Sequence, residues 1–487
     1  MKFPYSVIAL ALAAALGGCA IGPDYQRPDL QMPASFKEAQ GWRLAQPQEL
    51  LNRGAWWELY GDATLNDLQH KLIAANQTLA QSEASYRQAA ALVKGSRSTF
   101  FPSISASAGK TRSGQGGGGG TVRLPDGSTV SSGSTGGVST SYDASIGVSW
   151  ELDLWGKLRR QLESDTAAMD ASAADLAASQ LSLQSQLAQT YLQLRVIDQQ
   201  KRLLDDTVQA YQRALKLTEN QYNAGIVTKA DVAQARTQLK STEAQAIDLK
   251  YQRAQLEHAI AVLVGQPPAQ FSLAAVDDIP KLPDLPAVLP SQLLERRPDV
   301  AAAERRVIAA NALIGVNKAA WFPDLTLSAT GGYRSGSLDN WISTPNRFWS
   351  IGPQFAMTLF DAGLISSRVE QAEASYDQTV ASYRQTVLDG FREVEDYMVQ
   401  LDVLEEESGV QQEALDAARE ALRLTSNQYK AGTVDYNSVV TTQTAALNNE
   451  RTVLTLLGNR LTASVQLIAA LGGGWDSNQI QDASASR

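Results

Sequence analysis

The chain has 487 residues, with 42 Lys and Arg against 51 Asp and Glu and a formal net charge of −9. That acidic balance argues against a general nucleic-acid binder, which carries a basic patch. With 2 His and 1 Cys there is almost no material for a His/Cys metal centre or a Cys–His nucleophile, so neither an enzyme nor a cofactor or metal site is expected.

The first segment is a leader. Lys2, an apolar run over 7–16 and Gly17-Gly18-Cys19 follow the pattern of a secretory signal, and the run is too short for a spanning helix of about 20 residues. Leu16-Gly17-Gly18-Cys19 resembles the bacterial lipoprotein box, which implies removal of residues 1–18 and acylation (palmitate or a similar chain) of Cys19. The plainer alternative is an ordinary signal with an incidental Cys, but the sole thiol sits at the cleavage junction. Ala20 follows it, rather than the Asp that in lipoproteins usually marks inner-membrane retention. No later segment reads as a transmembrane helix, so a membrane crossing requires a β-barrel.

The rest of the chain is written twice. Ala214-Leu215-Lys216-Leu217-Thr218-Glu219-Asn220-Gln221-Tyr222-Asn223-Ala224-Gly225 returns, at an offset of 207, as Ala421-Leu422-Arg423-Leu424-Thr425-Ser426-Asn427-Gln428-Tyr429-Lys430-Ala431-Gly432. Repeat 1 covers 64–264: a helix, a strand at 101–112, a loop at 113–141, a strand at 142–154, then helices at 157–224 and 226–264. A linker at 265–290 leads to repeat 2 over 291–471, with a helix, a strand at 322–334, a loop at 335–347, a strand at 348–360, and helices at 364–431 and 433–471. Residues 472–487 form a tail.

The four strands alternate with period two, as half-buried strands do. Tyr142, Ala144, Ile146, Val148, Trp150 and Leu152 stand between Asp143, Ser145, Gly147, Ser149 and Glu151. The segment 142–154 extends about 43 Å at roughly 3.3 Å per residue, enough to cross a tilted bilayer. Two soluble hairpins, each with one wet face, are the alternative. The loop 113–141, with glycines from Gly116 to Gly120, reads as flexible and solvated; it lacks the GKS/T ending of a phosphate cradle. Residues 157–224 contain no Gly or Pro and give a helix of about 100 Å. Leu183, Leu187, Leu194, Ile197, Leu204, Tyr211 and Leu215 recur every 3.5 residues as a coiled-coil seam, and Leu181, Leu192, Val196 and Leu203 form a second. In Arg296-Arg297-Pro298-Asp299, Pro298 suits a first helical position and Asp299 the first turn, with no transport role assigned. His70 and His258 read as surface or interface residues.

Four strands cannot close a membrane barrel, which starts at about eight, and open edges do not persist in lipid. Copies must therefore combine, and twelve strands from three copies leave a water-filled lumen where eight do not. The fold class expected is mixed α/β: a trimeric twelve-stranded transmembrane barrel continued by a long helical barrel, built from two internal repeats.

Several motifs together resemble the outer-membrane efflux channels, the TolC-like proteins, in their lipoprotein branch. They are Cys19-Ala20-Ile21-Gly22-Pro23-Asp24-Tyr25, Trp56-Trp57 with Asp62 and Leu65-Asn66, Leu152-Asp153-Leu154-Trp155-Gly156, Leu294-Glu295-Arg296-Arg297-Pro298-Asp299-Val300, Phe322-Pro323, and Leu471-Gly472-Gly473-Gly474-Trp475. The resemblance spans essentially the whole mature chain. It implies a lipid-anchored homotrimer in the bacterial outer membrane with a large periplasmic portion, in which residues 19–63 run as an extended segment along the body. It implies a periplasmic membrane-fusion adaptor and an inner-membrane RND-type pump as partners, and passive export of drugs and toxic compounds. It also places adaptor contacts at the two helix corners, Ala224, Gly225, Ile226 and Val227, and Ala431, Gly432, Thr433 and Val434, although a tight turn needs Gly225 and Gly432 in any case. Many relatives carry a constricting Asp before an Ala-Gln pair; this sequence departs from that with Val440-Thr441-Thr442-Gln443. Gate candidates are therefore Asn437, Thr441, Asp231 and Asp435, with ordinary helix-end stabilisation as the alternative for the acids. A polypeptide-secretion duct and a non-conducting periplasmic scaffold lipoprotein remain the competing functions.

Overall fold

Pro102 and Pro323 have no N–H to give to a ladder, and the strands begin just after each of them. In the computed structural model, which describes residues 20–30, 33, 35–38, 55–114, 119–133, 137–276, 278–283 and 296–475, β1 is Ser103–Gly114 and β5 is Asp324–Ser335. The signal peptide and Cys19 lie outside the described residues, as do most of the tail and parts of the linker and the N-terminal segment. Helices α1 (Ala63–Ala75) and α2 (Gln77–Ser98) precede β1. After it come β2 (Gly119–Arg123), β3 (Thr129–Gly133), β4 (Val138–Leu152), α3 (Lys157–Asn223), α4 (Lys229–Leu263) and α5 (Pro298–Ala319). Beyond β5 are β6 (Arg347–Ala356), α6 (Leu364–Lys430) and α7 (Tyr436–Ala470).

Several boundaries differ from the sequence reading, each for a local reason. The loop 113–141 is not wholly irregular: β2 and β3 pair antiparallel around Pro125-Asp126-Gly127. There Asp126 Oδ1 accepts the Ser128 N–H at 2.9 Å and Gly127 takes φ +87°, the turn chemistry that Asp-Gly supplies. The strand at 142–154 starts earlier and stops at Leu152, because the Asp153 carboxylate turns back to accept the N–H groups of Leu158 and Arg159 at 3.1 and 3.0 Å. The strand at 348–360 ends at Ala356, opposite Asp324, where its partner strand begins. The single helix expected at the start of repeat 1 is broken at Asn76, whose Oδ1 caps α2 by accepting from Leu79 N at 2.9 Å while its Nδ2 donates to the Leu263 carbonyl at 2.8 Å. Residues 56–60 are a 3₁₀ turn rather than extended chain.

The chain divides into two compact units, with α2, α3, α5 and α6 contributing to both. The unit of Met1–Arg27, Ala89–Met169 and Arg306–Thr379 holds one four-stranded antiparallel sheet in the order β1-β4-β5-β6. At the helix-bearing end of its strands, Trp155 and Phe322 stack at 4.9 Å, and the Trp155 indole donates to the Pro323 carbonyl at 2.8 Å. Two of the sequence motifs meet there. Ile21 N donates to Trp155 O at 3.0 Å, Asn311 Nδ2 to Pro23 O at 2.9 Å, and Arg160 binds Asp24 at 2.7 Å. Gly156, at φ +82°, admits this strand of chain: a Cβ on it would stand 2.6 Å from the Ala20 Cα.

The second unit is the helical body. Trp56, Trp57 and Tyr60 pack with Leu65, Leu68 and Leu72 of α1 against Leu187, Tyr191, Leu194, Ile260, Leu461 and Val465, all buried. Asp62 serves twice, capping α1 at Leu65 N (2.9 Å) and accepting the Tyr191 hydroxyl at 2.7 Å. Beside this core a buried ion network joins Arg195, Asp198, Arg253 and Glu257. Its two arginines also donate to the carbonyls of Ala274 and Leu273, at 2.9 and 2.7 Å, so each cation has a backbone partner besides its carboxylates. Contrary to the sequence reading, α7 is apolar and long enough by composition to span a membrane. Val439, Leu447, Leu456, Leu461, Val465 and Leu467 are buried in the body, which accounts for that composition.

Candidate functional site

Strand register decides what each face of the sheet offers. Ile104 pairs with Val148, Val148 with Ala329 and Ala329 with Ile351; the neighbouring rung reads Ala106, Ile146, Gly331, Trp349. Trp150, Leu327 and Pro353 continue the same face, as do Leu152, Leu325 and Phe355. One side of the sheet is therefore apolar from strand to strand, and it is open: Ile104 and Trp349 are each 73% exposed. The opposite side reads Ser105, Gly147, Thr330 and Ser350 on one rung and Ser107, Ser145, Gly332 and Phe348 on the next, with Ser107 and Ser145 hydroxyls 2.9 Å apart and the Arg334 guanidinium 5.1 Å from the Phe348 ring centroid. At its helix-bearing end, Lys157 bridges Glu151 and Asp324, each at 3.3 Å. One face suits hydrocarbon and the other water.

The two corners of the helical body are built alike. After α3, Gly225 takes φ +75°, its N–H donates to Tyr222 O at 2.9 Å, and Ile226 N donates to Gln221 O at 2.8 Å. After α6, Gly432 takes φ +77° with the matching bonds to Tyr429 O (2.9 Å) and from Thr433 N to Gln428 O (3.0 Å). This is the paired 6→1 and 5→2 closure of a Schellman end, whose left-handed residue glycine suits best. Ala224, Ile226, Ala431 and Thr433 are exposed, and Val227 and Val434 half-buried.

The gate candidates are all placed, and most have local partners. Asp231 closes a capping box with Thr228, accepting its N–H at 2.8 Å and its hydroxyl at 2.7 Å. Asp435 caps α7, accepting Ser438 N–H at 3.0 Å and its hydroxyl at 2.6 Å, and these two bonds hold its carboxyl below the usual carboxylate range. Asn437 Oδ1 accepts from Gln234 Nε2 at 2.8 Å. Thr441 is exposed and its hydroxyl donates to the Asn437 carbonyl at 3.0 Å. No His/Cys/Asp/Glu cluster able to hold a metal is found among the described residues. Thr228→Ala is expected to lower unfolding stability by about 1 kcal/mol through the lost cap, readable in a urea titration.

Between the corners lies a cluster that the sequence reading did not single out. The Tyr429 and Tyr436 rings stand 5.6 Å apart over Ala235 and Val440, and the Tyr429 hydroxyl donates to Gln221 Oε1 at 3.0 Å. Burial and the neighbouring Tyr429 push the Tyr436 hydroxyl up to about 12. A ladder continues along α4 and α7: Gln238 Nε2 donates to Thr444 Oγ1 at 3.1 Å and Arg451 Nη1 to Gln245 Oε1 at 2.7 Å. The repeated Gln-Tyr pair at 221–222 and 428–429 was the one available signal.

The sequence model described as outer membrane efflux protein matches residues 68–266 and 289–473. The chain is 29% identical over 492 residues to the probable efflux pump outer membrane protein SepC of Pseudomonas putida, covering 100% of each. It has the same identity and coverage with the toluene efflux pump outer membrane protein TtgF, also of Pseudomonas putida. Among solved structures, the outer-membrane channel OprN superposes with a TM-score of 0.83 at 30% identity, over 94% of this chain and 100% of that one.

Proposed function

Because the chain belongs to the outer membrane efflux protein family and is thereby an outer-membrane exit duct of an efflux system, we propose that three copies close their sheets into one twelve-stranded barrel. The observation that carries this is the open sheet. β1 and β6 each pair on one side only, and the face they share is apolar and exposed. An unpaired edge has no place in lipid, and edge-to-edge closure between copies removes it. The Ser/Thr/Gly face then lines the lumen. The helical pairs of three copies continue the duct through the periplasm as a helical barrel.

The remaining assignments belong to the same reading. Residues 1–18 are the signal peptide, Cys19 carries the lipid, 19–63 lie along the periplasmic body, and 64–264 and 291–471 are the two repeats, with 265–290 as linker and 472–487 as tail. The corners around Gly225 and Gly432 meet a periplasmic adaptor, through which an inner-membrane pump delivers small toxic molecules. The Tyr429–Gln221 bond and the Gln234–Asn437 rung hold the corner region shut, with Thr441 facing the narrowed path. Nothing in this arrangement calls for catalysis.

Single-channel recording of purified protein in planar bilayers tests the duct. Wild type is expected to insert and conduct weakly, and Gln234→Ala combined with Tyr429→Phe to conduct several-fold more. A protein that never conducts, even with these substitutions, is a scaffold instead. Cys19→Ser should lose all incorporation of labelled fatty acid yet still form trimers, since the barrel alone holds it in the membrane. Label retained after that change rules out the anchor at Cys19.

A further inference from the structure

The apolar face of the sheet does not stay apolar to its loop-bearing end. Along β1 it runs Ile104, Ala106, Ala108 and then Lys110 and Arg112; along β6 it starts with Arg347, opposite Tyr333, before Trp349 and Ile351. All three cations are exposed. Their neighbours on β4 and β5 at this level are Tyr142 and Tyr333, and the Lys110 ammonium lies 5.3 Å from the Tyr142 ring centroid. The Tyr142 ring is in turn 6.2 Å from Trp341. None of Lys110, Arg112 and Arg347 has a carboxylate partner among the described residues, whereas Lys157, Arg159 and Arg160 at the other end of the strands all do. The carboxylates of this sheet, Asp143, Glu151 and Asp324, alternate onto the polar face.

We propose that Lys110, Arg112 and Arg347 form a binding belt for the phosphate groups of anionic lipid in the outer leaflet. This rests on the barrel reading above. On that reading the loop-bearing strand ends point away from the periplasmic helices, and β1 of one copy meets β6 of the next. The site is then completed only by assembly, with Arg347 of one copy brought beside Lys110 and Arg112 of another. Position explains why the cations are tolerated. Arg and Lys on a lipid-facing strand cost several kcal/mol at mid-membrane but little at the interface, where their stems lie along apolar surface and their heads reach polar groups. Arg adds the planar fork that matches phosphate oxygens, and the tyrosines are the interface aromatics of such a barrel. Unpaired cations facing neutral headgroups would gain none of this.

Full-length trimer, stripped of lipid in a neutral detergent, provides the test, with bisphosphorylated lipid A, phosphatidylcholine and inorganic phosphate as probes. Native mass spectrometry is expected to show lipid A retained in preference to phosphatidylcholine, and inorganic phosphate at millimolar level failing to displace it. Lys110→Gln/Arg112→Gln/Arg347→Gln should weaken lipid A retention by about a hundredfold while Lys110→Arg/Arg112→Lys/Arg347→Lys keeps it. Should the triple Gln variant fail to assemble, Arg347→Gln is read against Arg347→Lys in the same assay. Equal retention by the Gln and charge-keeping variants, equal retention of both lipids, or displacement by inorganic phosphate overturns the belt. Trimer formation and current in phosphatidylcholine bilayers are measured alongside: wild type failing these loses the barrel and the belt together, whereas normal current with no lipid preference removes the belt alone.

Discussion

Gly332→Val is expected to abolish the proposed assembly of three copies. Gly332 pairs with Ser145 in the middle of the sheet, and a Cβ on it would stand 2.1 Å from the Ala144 carbonyl oxygen and 2.7 Å from the Ser145 Cα. Both are backbone atoms of β4, the strand that pairs on either side, so neither can rotate away. Relief requires β4 and β5 to separate, which breaks the ladder holding the two hairpins together. Overpacking of a side chain typically costs about 1–3 kcal/mol, and a clash with fixed backbone costs more. The measurement is the heat-modifiable oligomer band on a detergent gel together with yield in the outer-membrane fraction, both expected to vanish. Gly352→Ala is the control, because a Cβ there meets nothing within 4 Å; it should assemble as wild type does. Assembly of the Gly332→Val protein at normal yield contradicts the observed β4–β5 pairing.

Arg297→Met is expected to be the most destabilising change in the helical body. The side chain is 9% exposed and donates to Asp299 at 3.0 and 2.7 Å, to Glu393 at 2.7 Å, and to the Ala470 carbonyl at 3.2 Å. It thus ties the start of α5 to the flank of α6 and the end of α7. Burial pulls down the proton affinity of the guanidinium, but the hydrogen bonds and charge of Asp299 and Glu393 more than reverse this. Removing it leaves two partly solvated carboxylates without their cation and loses four hydrogen bonds, at a cost of about 1.5–3 kcal/mol after solvent screening. Denaturant titration followed by circular dichroism measures the loss. Adding Glu393→Gln to Arg297→Met should recover part of it, since one uncompensated charge is then gone. Arg297→Lys should rescue poorly, because a point charge cannot reproduce the fork to Asp299. Equal stability of wild type and Arg297→Met leaves the tie without energetic weight.

These residues show why parts of the molecule were legible in the sequence and others were not. Strand alternation in Tyr142, Ala144, Ile146 and Val148 carries the two-faced sheet, because period two in the chain is period two in space. The corners at Gly225 and Gly432 were equally plain, since a long run without glycine followed by one leaves few ways to turn. Arg297 was read only as part of a helix start, because Glu393 and the Ala470 carbonyl are far away in sequence. The Tyr429–Tyr436 cluster was missed for the same reason: its partners Gln221 and Ala235 come from the other repeat. The hairpin of β2 and β3 was hidden by its surrounding glycines, although Thr121, Val122, Thr129 and Val130 flank an Asp-Gly turn. Asp231 and Asp435 were weighed both as gate acids and as helix-end residues, and each accepts hydrogen bonds at the start of its own helix.

The ladder between α4 and α7 has a bearing on how the two halves have drifted since they were copied. Gln234, Gln238 and Gln245 meet Asn437, Thr444 and Arg451. At the 207-residue offset, their counterparts are Thr441, Ala445 and Thr452 against Ala230, Thr237 and Ala244, which cannot reproduce those amide bonds. The halves are therefore no longer interchangeable: a chimera carrying repeat 2 twice would fold the same helices and lose every rung. Kinship of outline has outlasted kinship of contact, and each half is now fitted to a companion unlike itself.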